Sequence, residues 1–165
     1  MFSARKSLVQ AAALPYVETV DGLRVALITS RRRNRWIVPK GWPENDRLLW
    51  QVAALEAAEE AGIVGKISHA AIGSYRYEKM LKQGYPMPCT VFVFPLLAIE
   101  QRLQWKERGQ RQIKWYSPKK AAAKASDQGL SVILSQLAAA PESVSNFASN
   151  INWDEPIGTD QTYAR

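Results

Sequence analysis

Two residue types are almost missing from this chain. Cys89 is the only cysteine among 165 residues and His69 the only histidine. A single cysteine excludes an intrachain disulfide and suits a reducing compartment, so a cytoplasmic location is expected. A single histidine leaves any His-based metal site, or any Ser-His-Asp triad, resting on His69, and no serine motif accompanies it. A side chain on a strand is the plainer reading of His69. Long apolar runs are absent as well: nothing approaches the ~20 residues that span a bilayer, so no membrane partner is expected. The opening MFSARKSLVQAAALPYV has two basic residues before a short apolar stretch, a faint likeness to a signal peptide. Gln10 and Pro15 interrupt it, and it reads instead as a first strand. There is no internal repeat.

What is present is ordinary in amount and uneven in placement. The apolar fraction is 47% and the charged fraction 22%, as in a soluble globular protein. The length suits one domain with a real core, expected over residues 1–140. After Pro141 the chain turns polar and aperiodic. Residues 141–165 read as an irregular tail, with Phe147 and Trp153 the side chains able to anchor it. The formal net charge is +7, and much of the excess is local: Arg31, Arg32, Arg33, Arg35 and Lys40 lie within ten residues. Such a cluster attracts polyanions, whether nucleic acid or a phosphorylated small molecule. No RNA-binding motif is present and few aromatics interleave with the basic residues along the chain, so a small phosphorylated substrate is favoured over nucleic acid.

Periodicity and turn residues give an α/β reading. Strands are predicted over Leu8 to Glu18 and Leu23 to Thr29, joined at the Asp21-Gly22 hairpin signal. A short extended piece over Arg35 to Val38 ends at Pro39, and Lys40 to Arg47 is a turn-rich loop. Asp46 is the expected N-cap of a helix from Leu48 to Ala61, and Gly62 the left-handed residue that stops it. Leu48, Val52 and Leu55 supply its buried stripe. Lys66 to Lys79 reads as a strand or a long hairpin arm, and Lys82 to Pro88 as a loop. Thr90 to Ile99 is the most apolar strand, with Pro95 implying a bulge or exit. Glu100 to Gln112 is polar and loop-like, and Ile113 to Tyr116 is a short strand. Ser117 and Pro118 are an N-cap and first helical residue, and a second helix follows from Asp127 to Ala138.

The most informative segment is GWPENDRLLWQVAALEAAEEAGI, Gly41 to Ile63. Glu56, Glu59 and Glu60 are three and four residues apart, which in an α-helix stacks three carboxylates on one face. Like charges at that spacing oppose the helix by a few tenths of a kcal/mol per pair. A hard divalent cation that prefers oxygen ligands is the simplest neutraliser; the plainer alternative is a solvated face paired with Arg or Lys. The basic run leads directly into this segment, and a basic wall beside carboxylates suits a substrate carrying several phosphates.

This segment resembles the Nudix box, G-x5-E-x7-R-E-U-x-E-E-x-G-U, where U is a bulky apolar residue. Gly41, Glu56, Glu59, Glu60, Gly62 and Ile63 match in type and spacing, and Ala57 fills the first U position with a small apolar residue. The resemblance covers roughly residues 8 to 138. RWIVPKGWP before the box, and Trp105, Glu107, Arg111, Trp115 and Ser117-Pro118 after it, are similar to the diphosphoinositol polyphosphate phosphohydrolase branch. Two positions depart: Arg47 stands where the first glutamate falls, and Leu55 where the box arginine falls. In the family that arginine helps orient the carboxylates and that glutamate supports the loop; neither is a principal metal ligand.

The resemblance implies an α/β/α sandwich with a mixed sheet. It also implies hydrolysis of a phosphoric anhydride with Mg2+ or Mn2+ as cofactor. Glu56, Glu60 and Glu59, with a backbone carbonyl from the Gly41 loop, are the implied metal-site residues, and Glu59 can instead orient the attacking water. The family often draws its general base from a loop outside the box. Glu107 is the first candidate here, ahead of Glu100 and Glu78; its ordinary reading is an exposed loop carboxylate. Arg31, Arg32, Arg33, Arg35, Lys40 and Arg111 are the expected phosphate-gripping residues. Trp36 reads as core packing, Trp42 as able to contact a base or ring. A diphosphoinositol polyphosphate or dinucleoside polyphosphate fits the basic run best. ADP-ribose, a nucleoside triphosphate and a capped RNA end are also compatible, as is a catalytically weak nucleotide- or RNA-binding module.

Overall fold

The computed structural model describes residues 7–144. β1 (Leu8–Thr19) is the strand around which the rest assembles. Ala11 and Ala13 point into one core, while Ala12, Leu14 and Tyr16 point into the other. A strand covered on both faces needs a near-continuous apolar run, not alternation, and the sequence AAALPY supplies it. β2 (Gly22–Thr29) returns antiparallel, with Thr19 paired to Gly22 across the Val20-Asp21 turn. Two short strands follow: β3 (Trp36–Ile37) on β2 and β4 (Lys40–Gly41) on β1.

Helix α1 (Leu49–Glu56) runs on into a π-helical turn, Ala57–Ala61. Then come β5 (Ile63–Ile67), β6 (Gly73–Met80), β7 (Pro86–Gln101) and β8 (Ile113–Tyr116). Helices α2 (Pro118–Lys124) and α3 (Gln128–Ala139) complete the order. The sheet runs β3-β2-β1-β7-β5, with β6 also on β7 and β8 also on β2. The β1–β7 pairing is parallel and the others antiparallel, so the sheet is mixed as expected. α1 covers one face; Ala11, Ala13 and Ala26 of the sheet meet Val52, Ala53, Ala57 and Ala61 there. Alanine on both sides of this seam lets helix and sheet approach closely. Leu130, Ile133, Leu134 and Leu137 of α3 cover the other face.

Several local expectations change. The helix N-cap is Leu48, not Asp46. The Gln51 side chain reaches back to accept from the Leu48 N–H at 2.7 Å, tying down the helix start without a side-chain cap from residue 48. Lys66 to Lys79 is two strands with a connection between them. β7 begins at Pro86 and runs straight through Pro95 with no exit. Pro95 is tolerated because β7 changes partner there: β6 pairs up to Val93 and β5 from Leu96. No sheet bond calls on the missing N–H at that point, and the Pro95 carbonyl accepts from Ser68 N–H at 2.8 Å. His69 lies in the β5–β6 connection, exposed, its ring stacked on Trp50 at 3.8 Å. It is therefore not on a strand. Ser117 caps α2 as expected, accepting from Lys120 N–H at 3.3 Å. Cys89 is buried and unpaired. Phe147 and Trp153, the anchors expected for the tail, lie outside the described residues.

A candidate active site on a widened helix end

The carboxylates sit where α1 changes its winding. From Ala57 the backbone takes the wider π turn, and Gly62 ends it at φ 66°, ψ 19°. Single π turns inside helices recur at functional sites. Backbone and side chains from β7 and the loop after it satisfy the carbonyls left at this end. Gln101 Nε2 donates to Ala61 O at 2.9 Å, Arg102 N–H to Gly62 O at 2.8 Å and Glu107 N–H to Glu59 O at 3.0 Å. Gly62 is required twice over, for its positive φ and because a Cβ would overlap the Trp105 indole.

The wider turn also re-sorts the glutamates. Glu56 and Glu60 lie close enough for each to act on the other's proton. Glu59 turns away, toward Lys106 Nζ at 3.7 Å. The three-carboxylate face expected from α-helical spacing is therefore a two-carboxylate face, and among the described residues no three acidic groups converge on one point. Lys106 was not singled out from the sequence; its only signal was adjacency to Glu107.

Glu56 lies against the backbone of β4, and a Cβ at Gly41 would overlap its carboxylate. That is the physical reason for glycine at Gly41. Gly41→Ala is expected to displace Glu56 and cost about 1–3 kcal/mol of stability by overpacking; thermal denaturation checks this. An unchanged melting temperature would mean the Glu56 side chain is not seated there.

Glu60 is buried. Arg111 Nη2 lies 3.5 Å from its Oε1 and 3.2 Å from Glu107 Oε1. Arg111 Nη1 donates to the Thr29 carbonyl at 3.1 Å. The Arg111 side chain is only 8% exposed, so its guanidinium is held inside the carboxylate cluster. Glu107, a loop residue by sequence, is likewise drawn in, and Arg31 reaches it from outside at 3.5 Å. Arg32, Arg33 and Arg35 are exposed on the β2–β3 loop and touch none of the carboxylates in the described residues. Lys40 sits on β4 with its ammonium over the Tyr77 ring at 5.4 Å. Burial lowers its pKa, opposed by the charges of Glu60 and Asp127. Glu78 and Glu100 are exposed on β6 and β7. Trp36 packs against the core, as expected, and Trp42 is 44% exposed.

The two departures from the box pattern have local answers. Arg47 forms an ion pair with Glu44 at 2.8 Å, and its N–H donates to the Glu44 carbonyl. That closes the loop with a neighbour's carboxylate in place of its own. Leu55 is buried, and the cation that faces the glutamates is Arg111, from the far side of the sheet sequence.

Burial holds Glu56 well above the usual carboxylate range, up to about 8, helped by the charge and hydrogen bond of Glu60 and the charges of Glu59 and Glu107. Glu60 is also raised, chiefly by burial, against the pull of Arg111. Its Oε2 is buried with no hydrogen-bond partner. A half-buried and a buried carboxyl side by side, the buried one with an unsatisfied oxygen, fit a divalent cation bound through oxygen. Glu59 fits only after leaving Lys106.

A sandwich of this topology, with a glutamate pair seated on a glycine beside a helix end, defines a recognisable class. The model of the NUDIX domain matches residues 10–137, and the chain belongs to the Nudix family. It is similar to Nudix hydrolase 12, mitochondrial, of Arabidopsis thaliana, at 29% identity over 108 residues, 64% of this chain and 53% of the relative. It is similar to Nudix hydrolase 21, chloroplastic, of the same plant at 31% over 100 residues, 58% of this chain and 46% of the relative. The chain thus spans about half the length of the curated relatives it matches. Among solved structures it shares the fold of a C. elegans Ap4A hydrolase (TM-score 0.59, 19% identity, 81% of this chain and 98% of that one). It also shares the fold of the NUDIX domain of Shewanella oneidensis NrtR, complexed with ADP ribose (TM-score 0.58, 17%, 82% and 88%).

Proposed function

We propose that this protein is a pyrophosphohydrolase that cleaves a phosphoric anhydride in a phosphate-rich substrate with the help of a divalent cation, Mg2+ or Mn2+. The observation that carries this is the Glu56–Glu60 pair, with Glu56 against Gly41 and the buried Glu60 Oε2 unsatisfied. Family membership and the shared fold support it.

In this reading Glu56 and Glu60 hold the cation, with the Gly41 carbonyl and Glu59 as further ligands. When bound, the cation stabilises charge on the phosphate oxygens and lowers the pKa of the attacking water. The chain does the rest. Arg111 keeps Glu60 and Glu107 in place while the cluster is empty. Glu107 takes the proton from water; its partner Arg31 is exposed and can leave it for a substrate phosphate, which leaves Arg111 alone on Oε1 and the other carboxylate oxygen to act as base. Lys40, Arg31 and the remaining arginines of the β2–β3 loop neutralise the outer phosphates. A diphosphoinositol polyphosphate or a dinucleoside polyphosphate fits that charge density best.

The test is phosphate release from a substrate panel with magnesium or manganese, for the wild type and Glu60→Gln. Turnover that needs the cation and is lost in the variant is expected. Ligand binding without turnover in either protein would replace the hydrolase with a binding module. Product analysis separates the two substrates: an inositol pyrophosphate loses a terminal phosphate, whereas a dinucleoside polyphosphate splits into two nucleotides.

A further inference from the structure

Two segments far apart in sequence carry cations and no carboxylate. Residues 30–36 contain Arg31, Arg32, Arg33 and Arg35; residues 112–126 contain Lys114, Lys119, Lys120 and Lys124; neither contains an Asp or Glu. The fold brings them together. β8 pairs with β2 so that Ile113 lies opposite Ile28, and Thr29 N–H donates to Gln112 O at 3.0 Å. The β2–β3 loop therefore begins beside the start of β8. That loop is held closed by Ser30, whose N–H donates to Arg35 O at 2.8 Å and whose Oγ accepts from Arg35 N–H at 3.0 Å. A closed turn leaves its arginines pointing outward, and all four are exposed. Apart from Arg31, none of the eight cations forms an ion pair among the described residues.

The aromatics that look separate from these cations in the sequence are interleaved with them in space. Lys114 Nζ lies over the Trp36 ring at 5.9 Å, and Trp36 meets Tyr116 edge-on at 5.7 Å. Lys120 Nζ lies over Tyr116 at 5.8 Å. The carbonyl of Trp36 accepts from Ser126 N–H at 3.0 Å, which docks the α2–α3 connection onto the same spot. Trp115, between Lys114 and Tyr116, projects from the opposite face of β8 and is 38% exposed. The outer edge of β8 has no strand partner among the described residues.

We propose that this edge, from the β2–β3 loop across β8 to α2, is a binding track for single-stranded nucleic acid, separate from the carboxylate pair. A single strand uses unpaired cations beside an exposed ring: the cations follow the backbone and Trp115 receives an unstacked base, while Trp36 and Tyr116, packed against the core, hold Lys114 and Lys120 in place. An anionic membrane needs the charge but draws little from a single exposed ring on a strand edge. A compact polyphosphate needs a pocket, not a strip. Arg31 joins the track to the cluster through Glu107, so a strand lying on it has one end at the site rim.

The test uses the full chain, in EDTA, with a 5′-hydroxyl fluorescent oligouridylate of about a dozen nucleotides. Neither the cation nor a 5′ phosphate can then contribute to binding. Anisotropy is expected to show binding that weakens with salt by about 0.7 in log-log slope per phosphate contacted. Lys114→Glu with Lys120→Glu is expected to lower affinity at least tenfold and the slope by about 1.4, two contacts' worth. Trp115→Ala is expected to lower affinity several-fold, and the bound strand to quench tryptophan fluorescence. Turnover of a small substrate stays unchanged in all of these variants. Unaltered binding in the charge-reversed protein overturns the proposal. So does inorganic polyphosphate binding as tightly as RNA with Trp115→Ala silent, and so do phosphatidylserine vesicles that strip the oligonucleotide from the protein.

Discussion

Glu56→Gln is expected to abolish turnover and, at the same time, to stabilise the metal-free protein. Glutamine keeps the size and can still donate to Glu60, but it removes a negative charge that the proposed cation needs. A cation at such a site supplies several kcal/mol of charge stabilisation; losing about 4 kcal/mol is roughly a thousandfold in kcat. The stability effect has the opposite sign. The folded state holds the Glu56 proton more tightly than the unfolded chain, whose carboxyl has the ordinary value of 4.5. Below that pH both states are protonated and there is no penalty. As pH rises toward about 8 the folded chain must either keep the proton against solution or take on an unwelcome charge, so metal-free stability falls across that window. The variant lacks this group and should decline less. Glu56 is partly exposed, so the gain is discounted to about 1 kcal/mol near neutral pH, or roughly 2–4 °C in melting temperature. Magnesium should reverse the order, stabilising the wild type and leaving the variant unmoved. Melting curves in EDTA and in magnesium, across this pH range, read both signs. A variant that melts earlier than wild type in EDTA would refute the account of the pair.

Arg111→Ala should give the largest loss of stability. Its guanidinium is the only cation among the described residues within ion-pair distance of Glu60, and it shares Glu107 with the exposed Arg31. Removing one partner of a buried ion network leaves the other charges uncompensated, at about 3–5 kcal/mol. For a chain of this size that is a fall of about 10 °C. Arg111→Lys should recover part of it, because an ammonium restores charge but cannot reach two carboxylates and the Thr29 carbonyl together. Magnesium should recover part of the loss in Arg111→Ala as well, since a cation bound between the glutamates replaces some of the missing charge. A melting point within about 2 °C of wild type would show that Arg111 does not brace the pair.

Much of this was legible in the residues. The apolar run of β1, the hairpin at Asp21-Gly22, the Ser117-Pro118 helix start and the Gly62 stop are local signals, and local chemistry decided them. What was not legible depends on partners distant in sequence. Pro95 read as a break because nothing in the chain shows that β7 exchanges β6 for β5 there. Glu59 read as a third member of the carboxylate face because the spacing assumes α-helical winding, and the π turn is held open by Glu107, Gln101 and Arg102 from another part of the chain. Arg111 read as one more phosphate-gripping cation; only the fold shows it within the cluster that Leu55 leaves without a charge. The interleaving of Trp36 and Tyr116 with lysines was hidden for the same reason, since those contacts join β3, β8 and α2.

β7 serves three partners at once: β1 on one side, β6 and β5 in succession on the other. On the ribosome, β1 therefore emerges long before the strand that fills its second edge, and this parallel pairing has no local route to closure. Its stretch AAALPYV can meet β2, β4 and α1 early, but one edge stays unpaired until Pro86–Gln101 has left the exit tunnel and one face stays open until α3 follows. Folding should be slow for a domain of this size, and nascent chains halted before β7 should be the ones that chaperones hold and that aggregate when they are withdrawn.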